Sequence, residues 1–415
     1  MKVLWVKAGK LLPLDTGGKI RSYNIIRLLA AQHQVTLLTY YGGQRDTGYE
    51  REIAYRFPGA VTNFTAAPAE NTIRHIISYL VNLRASAPCA VSKFADPETR
   101  RTIEVWFKDQ LFDIAVCDFL SASLDFPRTL SIPTVLFQHN VESALWGRQA
   151  HWETNWLKKL AFKIEAGKMA RYERGALRRF HHIIAVSDHD REQMKLMVEA
   201  SRITVVPTGV DLDRYRGALD TSSTQGLVLF LGSMDWEANI DAVEYFCRDV
   251  WPQVLAKVPG ARFRIVGRNP HARVQKLAST SVEVTGTVPS VVEHLRDARV
   301  FVVPLRIGGG TRLKIYEAMA MGKAVVSTSV GAEGLDVNHG RNILLADDAA
   351  TFAEGVAMFL HDEELCRRYG AGAIELADRH GWPVIANRFA EVLEKVARPA
   401  GVGSRAAFVT ESVNT

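Results

Sequence analysis

Residues 303–323 read VPLRIGGGTRLKIYEAMAMGK, and this stretch decides how the chain folds. It starts at the end of an apolar, β-branched run, Val300–Val303, which predicts a strand closing at Pro304. Gly308, Gly309 and Gly310 follow, and a helix is predicted to begin near Thr311. Glycines let backbone approach a ligand closely, and a helix start offers unpaired N–H groups to an anion. Arg312 and Lys314 add positive charge at the same place, so the segment has the makings of a diphosphate cradle. Glu317, under two turns into the helix, is placed to accept hydrogen bonds from sugar hydroxyls. The same residues equally describe an ordinary strand–turn–helix with a solvated Arg/Lys pair. The segment is neither a Walker A loop, which would end Gly-Lys-Ser/Thr, nor a GxGxxG fingerprint.

The same alternation runs outward in both directions. Short β-branched runs at Val3–Val6, Val35–Thr39, Ile114–Cys117, Thr134–Phe137, Ile183–Val186 and Thr204–Val206 predict strands, with amphipathic stretches between them. A long helix is predicted over Trp156–Arg179, and Ser187 or Asp188 is placed to cap another. Tyr215–Gln225 is small and polar and reads as a linker. A second series then begins, with strands at Leu227–Leu231, Arg262–Val266, Val282–Thr285, Val300–Val303 and Ala324–Ser327. This is an α/β chain with two parallel-sheet halves, 1–215 and 226–382, a last helix over 383–398, and a tail over 399–415 expected to be disordered. Ligands of such sheets bind beyond the carboxyl ends of the strands, so the cleft between the halves is the expected site.

Composition sets outer limits. The 415 residues are 47% hydrophobic and 23% charged, which excludes a disordered or fibrous chain. Cys89, Cys117, Cys247 and Cys366 lie far apart with no CxxC pair, so neither a disulfide framework nor a zinc knuckle is suggested. A reducing cytosol fits best. No run of about 18 apolar residues predicts a membrane span, and Lys7 and Lys10 break the N-terminal apolar stretch too early for a signal peptide. A net charge of +6 favours anionic partners without requiring nucleic acid, and none is expected.

The 303–323 segment resembles the signature helix of glycosyltransferase family 4, whose members have two facing Rossmann-like domains, the GT-B fold. The Glu317-Ala318-Met319-Ala320 run with Gly322 and Ala324-Val325-Val326 is similar to the second half of that signature. In the family, a first glutamate stands before seven further residues and then the second; here its position is Gly309. The family's first glutamate contacts the donor sugar, so this departure puts that contact in question. By the same resemblance Glu317 binds the ribose hydroxyls, and Gly310 and Thr311 present N–H groups to the β-phosphate.

The resemblance extends over nearly the whole chain. Gly17-Gly18-Lys19-Ile20-Arg21 is similar to the family's N-terminal glycine loop, which lies against donor phosphates and acceptor, although a lone Gly-Gly is more often only a turn. Gln138-His139-Asn140-Val141-Glu142 follows a buried strand, and the family histidine here approaches the donor sugar; alone, a histidine after a strand is more often structural. Ile184–Asp188 and Val205–Asp211 match family signposts of a structural kind. Phe230–Trp236, with Gly232 and Ser233, occupies the place of a loop that usually carries an arginine and a lysine on the phosphates; neither is present. Arg312 and Lys314 are the obvious replacements, the charge having moved to the facing helix start. Ile265-Val266-Gly267-Arg268 and Thr285-Gly286-Thr287-Val288 match loops that hold the base, with main-chain groups at Val288 reading its edge. The family also implies that the last helix crosses back to the first domain, with the segments near Tyr215 and Trp382 as a paired hinge.

The resulting expectation is a retaining glycosyltransferase that moves a sugar from a nucleoside diphosphate sugar to an acceptor hydroxyl. Candidate acceptors are a glycan, a lipid-linked sugar or a small molecule, as in the exopolysaccharide-associated sugar transferases that the chain resembles. His139, Gly18, Arg312 and Lys314 are the expected catalytic set. Gly17, Gly232, Ser233, Arg268, Gly286, Val288, Gly309, Gly310, Thr311 and Glu317 are expected to bind the donor. No obligatory cofactor or metal is expected; Asp211-Leu212-Asp213 has the spelling of a metal motif but reads as a turn. Trp156–Arg179 carries many basic residues and an apolar stripe of Leu157, Leu160, Ala161 and Ile164, which suits either an anionic membrane surface or a helix packed on its own domain. The stretch Ile73–Leu83 is also amphipathic and suits an acceptor-side role or a buried helix. The expected location is cytoplasmic, with peripheral contact at the inner face of the membrane as an option. A GT-B isomerase or phosphorylase, a non-catalytic nucleotide-sugar-binding partner in polysaccharide assembly, and, least favoured, a dehydrogenase are the rival readings.

Overall fold

The computed structural model describes residues 1–66, 87–153, 155–216, 226–307 and 312–398. The Ile73–Leu83 stretch, the glycines at 308–310 with Thr311, positions 217–225 of the expected linker and the 399–415 tail lie outside the described residues. Two parallel sheets organise the rest. The first has seven strands in the order β3 (Val61–Ala66), β2 (Gln34–Gly43), β1 (Lys2–Ala8), β4 (Ile114–Asp118), β5 (Thr134–Phe137), β6 (His182–Ala185) and β7 (Ile203–Val205), and the second six in the order β10 (Val282–Gly286), β9 (Arg262–Val266), β8 (Leu227–Leu231), β11 (Val300–Val303), β12 (Ala324–Ser327) and β13 (Leu344–Leu345). In the first sheet, β1 (Lys2–Ala8) lies between β2 (Gln34–Gly43) and β4 (Ile114–Asp118). In the second, β8 (Leu227–Leu231) lies between β9 (Arg262–Val266) and β11 (Val300–Val303). Both sheets thus wind outward from a central first strand in the same way, although no sequence repeat links them.

The central strands are buried on both faces, which is why they read as continuous apolar runs rather than alternating ones. Val3, Leu4, Trp5, Val6, Val228, Leu229 and Phe230 have no exposed surface. Complete burial of each such side chain contributes about 1.5–3 kcal/mol. In a sheet wound both ways from its first strand, the helices leave a crevice at the reversal point, beyond the carboxyl ends of the two central strands. Here those ends are Lys7–Ala8 with Asp118 in the first sheet, and Leu231 with Val303 in the second.

The chain crosses between the sheets twice, and the crossings are paired. Val210 N–H donates to the His380 carbonyl at 2.8 Å, and Trp382 N–H donates to the Val210 carbonyl at 3.2 Å. A Cβ on Gly209 would collide with the Trp382 ring, so that close passage requires glycine. The helix Trp382–Ala397 then returns to the first sheet, where Trp382, Ile385, Phe389 and Leu393 share a core with Trp5, Ile25 and Phe137. Tyr215, which reads as the first linker residue, instead lies in a short helix, Leu212–Arg216, and is buried in the core of the second domain. The crossing therefore sits at Val210, ahead of the polar stretch. Asp211 caps the short helix by accepting from Arg214 N–H at 3.1 Å, which accounts for the Asp-Leu-Asp spelling without a ligand.

Candidate functional site

At the reversal point of the first sheet, Lys7 and Asp118 are direct register partners on β1 and β4. Asp118 has no exposed surface and gathers three donors: Trp5 Nε1 at 3.0 Å, Lys7 Nζ at 3.1 Å and His139 Nε2 at 2.8 Å. Burial alone would raise this carboxyl, but Lys7 and the His139 hydrogen bond outweigh it and hold Asp118 below the usual carboxylate range. Arg21, buried on the helix Gly17–Leu29, donates from its guanidinium to His139 Nδ1 at 2.8 Å and to Thr208 Oγ1 at 3.3 Å. Burial lowers Arg21 to about 10, with Asp190 and Asp118 opposing.

These contacts determine the state of His139. A guanidinium only donates, so Nδ1 must accept, and the ring proton resides on Nε2, where it meets Asp118 Oδ1. Burial drives His139 down to about 3, against the pull of Asp118 and with help from Arg21 and Lys7. The ring is a neutral, fully occupied imidazole and not a poised base. Phe119 stacks on it with ring centroids 3.6 Å apart and 9° between planes. Phe119 achieves this with φ 71°, a left-handed conformation that is costly for a bulky residue. A Cβ on Gly18 would stand 2.5 Å from Phe119 Cζ, so glycine at the start of the first helix is a steric requirement.

The second domain supplies the facing wall. The helix Leu313–Ala320 begins just after Arg312, slightly later than Thr311, and its residues reach two places. Lys314 Nζ donates to the carbonyl of Leu231, the last residue of β8, at 2.7 Å, and to Asn239 Oδ1 at 3.2 Å. It lies 4.1 Å from the Phe230 ring centroid. Burial, then the charge of Arg312, depress Lys314 well below its ordinary value. The lysine thus crosses from the signature helix to the end of the strand whose following loop lacks basic residues. Burial also lowers Arg312, with Glu333 opposing and Arg148 reinforcing, so Arg312 belongs to the domain junction. There Arg148 of the first domain grips both oxygens of Glu333 at 3.0 and 2.9 Å, and His189 approaches it at 2.9 Å.

A cavity of about 370 Å³ opens between these walls, lined by Asp15 from the first domain and by Ser233, Arg268, Val288, Lys314 and Glu317 from the second. Its floor consists of glycine loops. A Cβ on Gly267 would strike the Gly232 carbonyl, and one on Gly232 would lie 2.8 Å from Asn239 Nδ2. Gly286 adopts φ 73°. Arg268 Nε donates to Ser233 Oγ at 2.7 Å, tying the loops after β8 and β9 together. Glu317 is raised by burial, against a hydrogen bond from Tyr215 and the charges of Arg214 and Lys314. Gly17 completes the contact from the opposite side, where a Cβ would stand 3.1 Å from Leu313 Cδ1. The starts of the two helices therefore face each other, and both carry positive dipole ends.

Of the residues expected from sequence, Gly232, Ser233, Arg268, Val288, Lys314 and Glu317 border this one cavity, while His139 and Gly18 lie with Phe119 at the first sheet's crevice. Arg312 is at the junction. Gly309, Gly310 and Thr311 lie outside the described residues. Among the described residues, no group of three or more His, Cys, Asp or Glu is arranged to hold a metal ion. Sequence reading did not identify Lys7, Asp118, Phe119, Tyr215 or Glu333 as site residues.

Residues 16–214 match a family model described as Glycosyltransferase Family 4, and residues 225–362 match one described as Glycosyl transferases group 1. The chain is a GT-B glycosyltransferase of family 4. Among the relatives of this family-4 enzyme is a phosphatidyl-myo-inositol mannosyltransferase of Mycolicibacterium smegmatis, 28% identical over 72% of this chain and 76% of that protein. The Mycobacterium tuberculosis protein of the same name is 31% identical over 54% of this chain and 63% of its own length. Similar solved structures include sucrose-phosphate synthase from Thermosynechococcus elongatus, TM-score 0.68 at 15% identity over 95% of this chain and 98% of that one. Anabaena HepE in complex with UDP and glucose has a TM-score of 0.65 at 14% identity, over 95% of this chain and 100% of that one. At these identities the structural likeness speaks to the fold alone.

Proposed function

We propose that this glycosyltransferase transfers a hexose, with retention, from a nucleoside diphosphate sugar to a hydroxyl of an acceptor in glycolipid or polysaccharide assembly. The observation that carries the reading is the single cavity in which Lys314, Glu317, Arg268 and Val288 meet Asp15 of the opposite domain. The base lies against the loops at Gly286 and Val288, Glu317 accepts from the ribose hydroxyls, and the diphosphate lies between the two helix starts. As the anomeric bond breaks, charge grows on the departing phosphate. Lys314, Arg312 and the N–H groups at the head of the signature helix stabilise that charge. His139 is neutral with both ring nitrogens occupied, by Arg21 and Asp118, so it shapes the crevice wall on the donor-sugar side rather than taking the acceptor proton. The departing phosphate oxygen takes that proton on the same face, which preserves the anomeric configuration. Names of the relatives favour a hexose and a glycolipid setting: they include phosphatidyl-myo-inositol mannosyltransferases and a D-inositol 3-phosphate glycosyltransferase.

The second reading, a nucleotide-sugar-binding partner without transferase activity, rests on Gly309 in place of the family's first glutamate. One titration separates the readings: the protein against UDP, GDP, ADP and their common sugars, followed by transfer to hydroxyl acceptors. Preference for one diphosphate, weakened in Arg312→Ala, together with turnover of its sugar, is the expected result. Binding without turnover selects the partner reading, and absence of binding overturns both.

A further inference from the structure

The helical hairpin that follows His139 leaves an unusual surface exposed. Its first arm is the helix Glu142–Trp152 and its second the helix Trp156–Arg179, joined through contacts such as Trp146 against Phe162 at 5.9 Å. The later half of the second arm is properly seated. Glu165 and Lys168 pair at 3.2 Å, and the buried Glu173 accepts from Gln138 Nε2 and Glu142 N–H, each at 2.8 Å. The beginning of that arm is different. Trp152 is 57% exposed, Trp156 71%, Leu157 58%, Leu160 52% and Ile164 41%. These five account for a large share of the exposed large hydrophobic side chains among the described residues, and they fall at the end of the first arm and the start of the second, at a single hairpin end. Contiguous apolar surface of this kind on a polar protein marks a docking face.

The surrounding charge identifies the occupant. Lys158 and Lys163 are exposed among the apolar residues, and Arg171, Arg174 and Arg178 continue the basic face. Glu153, at the bend, is partly covered, while Glu165 and Glu173 are buried and engaged. Tryptophan and leucine ringed by lysine are the components of a face that inserts at a headgroup boundary. Among the described residues no helix is long and apolar enough to cross a membrane, so contact of this kind would be at the surface.

We propose that the Trp152–Ile164 end of this hairpin docks on an anionic lipid surface, and that the acceptor is lipid-linked and enters from it. The acceptor half of this inference rests on the transferase reading above. Its geometry is favourable. The first arm has 11 residues and begins three positions after His139, so about 16 Å of helix separates the crevice from Trp152. A lipid-linked sugar needs only to span that distance to bring its hydroxyl to the donor.

The test uses the full chain and co-sedimentation with vesicles of phosphatidylcholine containing 30% phosphatidylglycerol (about; any similar anionic fraction serves), without donor or acceptor. Binding to these vesicles is expected, with little binding to pure phosphatidylcholine. Trp156→Ser/Leu160→Ser should reduce partitioning at least about tenfold, and Lys158→Glu/Lys163→Glu at least about 30-fold with reduced salt sensitivity. Both variants should keep wild-type nucleotide affinity, which shows that they fold and keeps this test separate from the donor titration. Absence of vesicle binding, or undiminished binding by both variants, overturns the proposal. So does a dimer in analytical ultracentrifugation that Trp156→Ser/Leu160→Ser dissolves, because the face would then belong to a second copy of the chain. Vesicle binding together with exclusive use of water-soluble acceptors overturns the acceptor half.

Discussion

Replacement of Asp118 by asparagine should damage this protein far more than the loss of one charge on a surface would. The carboxylate is fully buried and accepts from Trp5 Nε1, Lys7 Nζ and His139 Nε2. Asparagine keeps one acceptor oxygen and turns the other side into a donor that faces donors. If its amide points at Lys7 and Trp5, the Lys7 ammonium loses its counter-ion while only 4% of that side chain reaches solvent. If it points at His139, the ring must move its proton to Nδ1, where the Arg21 guanidinium already donates. Either arrangement leaves an uncompensated buried charge or a donor–donor contact, which costs about 3–5 kcal/mol. In a unit of roughly 200 residues that corresponds to a fall in melting temperature of about 6–20 °C. Calorimetry of Asp118→Asn, Lys7→Met and the double variant measures it. The double variant removes the orphan ammonium and should be more stable than Asp118→Asn alone, a coupling that independent sites would not give. A loss below about 1 kcal/mol, or strict additivity, would refute the argument. The acid limb carries the same sign. Asp118 is depressed below its ordinary 3.8, so its stabilisation is complete above that value and is lost as pH falls through the native one.

Other expectations follow from the same geometry. His139 should stay neutral at pH 5.5, with the proton on Nε2, because its native value is about 3; a nitrogen-correlated NMR spectrum showing titration near 6.5 would contradict this. The unfolded chain takes up that proton below 6.5 and the native one does not, so this residue's contribution to stability falls as pH drops from 6.5 toward 3. Lys314→Met should weaken nucleotide diphosphate binding by roughly tenfold or more, the scale of one charge-assisted contact. Arginine should not rescue it, since its planar fork does not fit between the Leu231 carbonyl and Asn239 over Phe230; isothermal titration decides. Glu317 is raised above its ordinary 4.5, so nucleotide affinity should decline on mild acidification as the carboxylate protonates, and Glu317→Gln should bind more weakly with a flat pH profile.

The architecture was readable where burial is complete. Val3–Val6 of β1, together with β8 and β11, are apolar on both faces and stand out as unbroken runs, and the limits of the Trp156–Arg179 helix coincide with those expected from sequence. β3, Val61–Ala66, mixes threonine and asparagine into an edge strand, and β13, Leu344–Leu345, is too short to carry a pattern. In the site, Lys314 and Glu317 drew notice from their place at and just after a helix start that follows three glycines, and Gly18 and His139 through the family resemblance. Lys7 and Asp118 did not, because a charge within an apolar strand reads as an interruption. Their meaning lies in the register that pairs them across 111 positions, which no local pattern contains. Charged residues near the ends of two strands predicted to flank the reversal point were the available signal. Tyr215 was hidden by its neighbours: its polar surroundings suggest a linker, yet its ring fills a core and its hydroxyl serves Glu317.

The returning helix bears on how the chain is made. The Trp5 and Phe389 rings lie 5.4 Å apart, so the first domain closes its core with residues that are synthesised only after the second sheet. At ~5–20 residues per second, the stretch between Val205, where the first sheet is complete, and the helix Trp382–Ala397 leaves that sheet roughly 10–40 s with an apolar face uncovered. A cell making this protein therefore holds a nearly complete first domain open while the second is made, and chaperones that shield apolar surface suit that interval. For the same reason, truncation ahead of Trp382 should cripple the domain at the opposite end of the chain while leaving the neighbouring sheet intact.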